Sequence, residues 1–172
     1  VQHGAILIEK RIEALEKLDE LVKGYYTQMS GGSEKTKLVY QSTFPLKDQQ
    51  KIPEIYHQAL KKNFEKDLLS QSTSTGPHRD EIFFLINGKS LKAIGSQGEH
   101  KTFIIALKMA EYHYLQSVQK NLPLLLFDDI FGELDAGRIS SMINSLSQIG
   151  QVFITTTSPD FFGKLTSWKG QT

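Results

Sequence analysis

Two adjacent carboxylates, Asp128 and Asp129, end the apolar run Leu124-Leu125-Leu126-Phe127. In open α/β sheets ligands bind beyond the carboxyl ends of strands, so acids placed there meet solvent and substrate together, and a pair suits Mg²⁺ and an attacking water. The same residues also read as a strand followed by an Asp that caps the next turn. A second candidate is Gly95-Ser96-Gln97-Gly98-Glu99 at the mouth of a helix. Small residues let backbone N–H groups approach an oxyanion, the helix N-terminus adds a favourable dipole, and the Ser96 hydroxyl can donate a hydrogen bond, so a phosphate would sit well there. The competing reading is a capping box, with Ser96 as N-cap and Glu99 three residues on.

Other residues invite weaker readings. In Gly76-Pro77-His78-Arg79-Asp80 the arginine is flanked by Asp80 and Glu81, so a local ion pair that fixes the loop competes with a catalytic role. No two histidines share a metal-ligand spacing, and His57, His100 and His113 read as exposed or half-buried helix positions. No G-x-S-x-G nucleophile elbow is present. Lys47, Lys51, Lys61, Lys62 and Lys66 could form a phosphate-contacting edge, but Glu65 and Asp67 interleave with them as on a solvated helix face.

The elements that must position these residues follow from pattern. Ile8, Ile12, Leu15, Leu18, Val22 and Tyr25 recur by threes and fours, which predicts an amphipathic helix from Gly4 to Lys23 with Gly24 at its C-terminal cap. A short strand is expected around Lys37 to Ser42, then a helix from near Pro53 with Ile55, Leu60, Phe64 and Leu68 on one side. Ser70 to Gly76 reads as a linker with nothing to bury. Glu81 to Asn87 is a strand, and Asn87-Gly88 signals a hairpin ahead of Lys89 to Leu91. A helix from about His100 to Gln119, a strand from Leu122 to Phe127, a helix from about Asp135 to Ile149 with Ile139, Met142, Ile143 and Leu146 inward, and a strand from Val152 to Thr155 complete the reading. Short apolar strands without alternation are expected to be buried on both faces, and strands separated by helices imply a parallel sheet, hence an α/β fold.

Composition bounds the possibilities. The 172 residues make one domain, or one and part of another. The absence of Cys excludes a disulfide scaffold, thiol catalysis and a Cys-ligated zinc site. The longest apolar run, Leu122 to Phe127, contains Pro123 and falls far short of the roughly 20 residues of a membrane span, so a soluble protein is expected. Residue 1 is Val, and the sequence is expected to have been cut from something longer. With 20 Lys plus Arg against 19 Asp plus Glu, net charge neither demands nor excludes nucleic acid.

Taken in order, the glycine-rich turn, its long helix, the Walker B-like strand with Asp128-Asp129, then Gly132-Glu133-Leu134-Asp135 and a Thr-rich strand end resemble the C-terminal lobe of an ABC-type ATPase head of the SMC-like branch. With Gly76-Pro77-His78-Arg79-Asp80, Asn87-Gly88-Lys89 and Lys101-Thr102 added, the chain resembles the RecF family of bacterial recombination-repair proteins from about Gly4 to Thr157. The resemblance implies that residues 1–73 are part of a helical arm subdomain and 74–172 the C-terminal lobe. It implies that Ser96, Gln97 and Gly98, the signature, contact the γ-phosphate of ATP bound to the other subunit of a dimer. Asp128 would hold Mg²⁺, Asp129 would polarise the attacking water, Glu133 and Asp135 would form the D-loop, and Thr156 would stand at the switch position. It further implies a cytoplasmic protein that binds duplex and gapped DNA and acts with RecO and RecR to load RecA. A G-x-x-x-x-G-K-[ST] loop is missing, and Gly31-Gly32-Ser33-Glu34-Lys35-Thr36 does not supply its spacing. The chain alone is therefore expected to bind neither ATP nor Mg²⁺ and to show no ATPase activity. Two rival readings are a Mg²⁺-dependent hydrolase using Asp128, Asp129, Glu133 and Asp135, which must converge on one metal, and an interaction module with Ser96 packed inside.

Overall fold

The computed structural model describes residues 1–46, 51–119, 121–132, 134–147 and 149–157. In chain order the elements are α1 (Gln2–Ser30), β1 (Thr36–Gln41), α2 (Ile52–Ser70), β2 (Glu81–Ile86), β3 (Lys89–Ser90), α3 (Leu91–Ile94), α4 (Gln97–Val118), β4 (Leu125–Asp128), α5 (Ala136–Leu146) and β5 (Val152–Thr155). Three strands form a sheet in the order β1-β2-β3, and β4 pairs with β5 in a second. The chain divides into two compact units, one made of Val1–Lys17 and Leu38–Phe83, the other of Leu18–Lys37 and Phe84–Thr172.

In the first unit Ala5, Ile8, Phe44, Ile52 and Tyr56 form a buried cluster, with Ile12, Tyr40, Ile55 and Leu60 packed around it. Phe44 and Tyr56 stack with centroids 5.3 Å apart. Gly4 permits this packing, because a Cβ there would lie 2.7 Å from a ring carbon of Tyr56. Pro53 stands in the first turn of α2, as its fixed φ favours. The face expected from spacing is only half realised: Ile55 and Leu60 are partly covered, whereas Phe64 and Leu68 are 65% and 67% exposed. The expected linker is also better packed than its composition suggests. Thr75 is buried and its Oγ1 accepts from Asn63 Nδ2 at 2.8 Å, while the Ser74 N–H donates to Asp67 Oδ1 at 3.0 Å.

The second unit holds the α/β part. Helix α1 does not stop at Gly24 but continues to Ser30, because Tyr26 and Met29 gain burial that outweighs the ~1 kcal/mol that a helix-interior glycine costs. It ends instead at Gly31 and Gly32, both at positive φ, where the Gly32 N–H donates to Thr27 O at 3.1 Å. The hairpin between β2 and β3 turns through Asn87 and Gly88 at φ 50° and 77°, the left-handed pair of a two-residue turn. Asn87 also ties back to Lys35 through its backbone N–H at 2.8 Å and its side-chain oxygen at 2.9 Å.

Strands β4 and β5 are parallel and joined through α5, with Leu125 opposite Val152 and Asp128 opposite Thr155. Ile139, Met142, Ile143 and Leu146 of α5 are buried as the spacing predicts. The expectation that these strands are covered on both faces is corrected. Leu125 and Phe127 are buried, but Leu126 is 67% and Phe153 49% exposed. Side chains alternate across a strand, so an apolar run need not bury both of its faces.

Candidate functional site

Ser96 is the N-cap of α4, and the capping box is complete: the Glu99 N–H donates to Ser96 Oγ at 3.2 Å and the Ser96 N–H donates to Glu99 Oε2 at 2.6 Å. The Ser96 N–H, before all other contacts, holds the Glu99 carboxyl below the usual carboxylate range. The box therefore coexists with the phosphate-seat reading. A hydroxyl carries one donor and two acceptor sites, and the box uses only acceptor capacity, so the Ser96 proton stays available to an anion. Ser96 and Gln97 are exposed and Gly98 half-buried, which is contrary to the packed-in Ser96 that the interaction-module reading expects.

One turn further along α4, the Thr102 hydroxyl donates to the Gly98 carbonyl at 2.7 Å and accepts from Arg138 Nη1 at 2.9 Å. Arg138 in turn places Nε 3.2 Å from Asp135 Oδ2 and Nη2 3.9 Å from Glu34 Oε2. Asp135 caps α5 by accepting from the Arg138 N–H at 2.9 Å. Glu34 also accepts from the Tyr26 hydroxyl at 2.6 Å, and burial together with this bond pushes the phenol well up from its ordinary value. Sequence reasoning missed Glu34, Tyr26 and Arg138, which lie far apart in the chain and match no motif.

At the end of β4 the two acids differ in setting. Asp128 accepts through Oδ1 from the Thr155 hydroxyl, and the Asp129 N–H donates to both the carbonyl and the hydroxyl of Thr155, at 3.2 Å each. Asp129 is left-handed, φ 43°. Both acids are exposed, and among the described residues the Asp129 carboxylate accepts no hydrogen bond. The Thr155 hydroxyl, which the parallel register places beside Asp128, thus meets both acids, and Thr156 is the next residue along. Glu133 lies outside the described residues. Asp135 is turned to Arg138, and among the described residues no group of three or more His, Asp or Glu could hold a metal ion, so the four-acid convergence that a stand-alone Mg²⁺ hydrolase requires is not seen. One carboxylate with a free oxygen does fit Mg²⁺ carried by a nucleotide, since that ion is commonly held by one or two carboxylates plus phosphates and water.

The Gly-Pro-His-Arg-Asp turn belongs to the first unit. Arg79 donates to Thr73 O at 3.0 Å and Ser72 Oγ at 2.9 Å, and His78 Nε2 stands 3.0 Å from Thr73 Oγ1. Asp80 bonds the Tyr40 hydroxyl and the Thr43 N–H. The loop is fixed, but by these hydrogen bonds rather than the expected ion pair of Arg79 with its acidic neighbours. Burial and Asp80 push the Tyr40 phenol up to about 12. His57 is exposed and His100 and His113 half-buried, as expected. Lys51, Lys61, Lys62 and Lys66 are exposed, and Lys47 lies outside the described residues. No described helix is long and apolar enough to cross a membrane.

No protein-family model matches the sequence. Curated relatives do: the DNA replication and repair protein RecF of Streptococcus pneumoniae (strain ATCC 700669 / Spain 23F-1) is 35% identical over 165 residues, 96% of this chain. RecF of Streptococcus pneumoniae serotype 4 matches at the same identity and span. Two solved structures of the recombination mediator protein RecF in the RecFOR pathway superpose well. RecF-ATP has a TM-score of 0.77 at 30% identity over 92% of this chain, and RecF-ATPrS 0.75 at 31% over 91%. The chain belongs to the RecF family. It spans 45% of the length of those curated RecF relatives and 43% of the solved RecF chains, and corresponds to their C-terminal half. The α/β architecture expected from sequence is the one observed, with the parallel β4-β5 pair and the long α4 forming part of a RecF-type fold.

Proposed function

We propose that this chain supplies the signature and Walker B half of a RecF-type DNA replication and repair ATPase, with residues 1–73 belonging to the arm subdomain and 74–172 to the C-terminal lobe. The observation that carries the reading is Ser96: exposed at the start of α4, with its hydroxyl donating to none of the described residues and Gly98 beside it. That arrangement suits a γ-phosphate presented by a second subunit. ATP then bridges two heads, because each signature turn stabilises the phosphate held by the other, and hydrolysis removes the bridge. Asp128 would hold the Mg²⁺ that accompanies ATP, an ion that neutralises phosphate charge. Asp129, with its free carboxylate, orients and polarises the attacking water, and Thr156 stands at the switch position next to Thr155. In the cytoplasm the assembled dimer closes on duplex or gapped DNA and, with RecO and RecR, promotes loading of RecA at single-strand gaps. The similarity to RecF solved with ATP supports the nucleotide part of this reading.

Substituting Ser96→Arg in the full-length protein tests it. ATP binding within one subunit should persist while ATP-dependent dimerisation, followed by light scattering, is lost. A variant that dimerises normally with ATP removes Ser96 from the interface.

A further inference from the structure

The Arg138 side chain meets the signature helix, the loop carrying Asp135 and the segment before β1 together. Its three guanidinium nitrogens go to three different places: Nε to Asp135 at 3.2 Å, Nη1 to Thr102 at 2.9 Å, Nη2 to Glu34 at 3.9 Å. The Arg138 side chain is 21% exposed and that of Glu34 17%, so the contacts to Thr102 and Glu34 are shielded from water, whereas Asp135 is 66% exposed and its contact is a surface pair. Thr102, itself 1% exposed, passes the connection to Gly98 by donating its proton to that carbonyl at 2.7 Å. The path Asp135, Arg138, Thr102, Gly98 therefore consists of three direct polar contacts without a gap. Its orientation is determined: a hydroxyl that accepts from a guanidinium is left with its own proton to donate, and the Gly98 carbonyl is the acceptor it finds.

We infer that Arg138 is a positioning residue that fixes the signature turn and the Asp135 loop relative to one another, so that a phosphate received at Ser96 to Gly98 is felt at the loop that follows the catalytic acid. The inference rests on the nucleotide reading above only for its second half. The tie itself is a property of the protein without nucleotide. A planar fork suits this role because its donors stand on three separate nitrogens held in a fixed plane, whereas the three donors of an ammonium all sit on one nitrogen.

Amide hydrogen exchange on the full-length protein separates the two halves. In the nucleotide-free protein Arg138→Lys should speed exchange roughly tenfold at Glu99 and His100 of α4 and at Arg138 and Ile139 equivalents of α5 together, with the rest of the second unit unchanged. Thr102→Val, which keeps the shape and removes only the hydroxyl, should speed exchange at Glu99 and His100 and leave the start of α5 protected by Asp135. Unchanged exchange at the start of α4 in both variants overturns the tie, and Thr102→Val settles the matter if Arg138→Lys does not fold. With ATP added, the unaltered protein should gain protection at both segments and Thr102→Val at the signature turn alone, with ATP affinity the same in both. Gain at both segments in Thr102→Val overturns the transmission. If ATP protects neither segment in the unaltered protein, the nucleotide reading fails while the tie stands on the nucleotide-free result.

Discussion

Asp128 and Asp129 sit side by side in sequence but not in chemistry. Asp128 is held through one oxygen by Thr155, whereas the Asp129 carboxylate, on a left-handed backbone, accepts no hydrogen bond among the described residues. Asn is one of the few residues besides Gly that adopts this conformation readily, so Asp129→Asn removes charge with little strain. In the full-length protein that change should lower single-turnover hydrolysis by roughly 10²–10⁴ while ATP-dependent DNA retention lengthens. Asp128→Asn should instead weaken the hold on the metal-nucleotide and shorten retention. Equal loss of retention in both variants would make the pair one shared metal site. The acids were legible in sequence because they are contiguous and end an apolar run. Thr155 was not, since its role depends on the strand register that sets it opposite Asp128 from 27 residues away. Arg138 was hidden for the same reason: its Thr102 partner is 36 residues distant, and nothing local marks either.

At the scale of elements, what was local was readable. The capping box of α4, the proline in the first turn of α2 and the Asn-Gly hairpin all rest on residues within a few positions of each other. Helix ends and buried faces depended on distant partners. Gly24 carries the signature of a helix stop, yet the burial of Tyr26 and Met29 carries α1 past it. Two glycines of that helix should consequently respond in opposite directions. A Cβ at Gly24 meets nothing within 4 Å, so Gly24→Ala should stabilise by about 0.5–1 kcal/mol. At Gly4 the added methyl would press on Tyr56 at 2.7 Å, and that ring is stacked on Phe44 and cannot easily yield. Gly4→Ala should destabilise by about 1–3 kcal/mol. Thermal melting of the two variants checks both signs, and a raised midpoint for Gly4→Ala would show that the ring gives way.

For the whole molecule, the residues proposed as signature and Walker B are present and a phosphate loop is not found in the sequence. Calorimetric titration of this chain with Mg-ATP should show no measurable binding, and micromolar affinity would sink the idea that half of the site lies elsewhere. The α/β class was legible because strands and helices alternate along the second half of the sequence. The division into units was not, because neither unit is one continuous stretch of chain: Leu18–Lys37 belongs with residues from Phe84 onward, while Val1–Lys17 belongs with Leu38–Phe83. That interleaving has a consequence during synthesis. A ribosome delivers every residue of the first unit once Phe83 is made, but Leu18–Lys37, already translated, must wait for its partners. Tyr26 packs on Phe103, their centroids 6.0 Å apart, and Arg138 completes its ties to Glu34 later still. At roughly 5–20 residues per second the wait lasts several seconds. Through it Tyr26, on the C-terminal half of α1, lacks the Phe103 ring it packs on, which makes that stretch a place where a chaperone would be expected to engage the nascent chain.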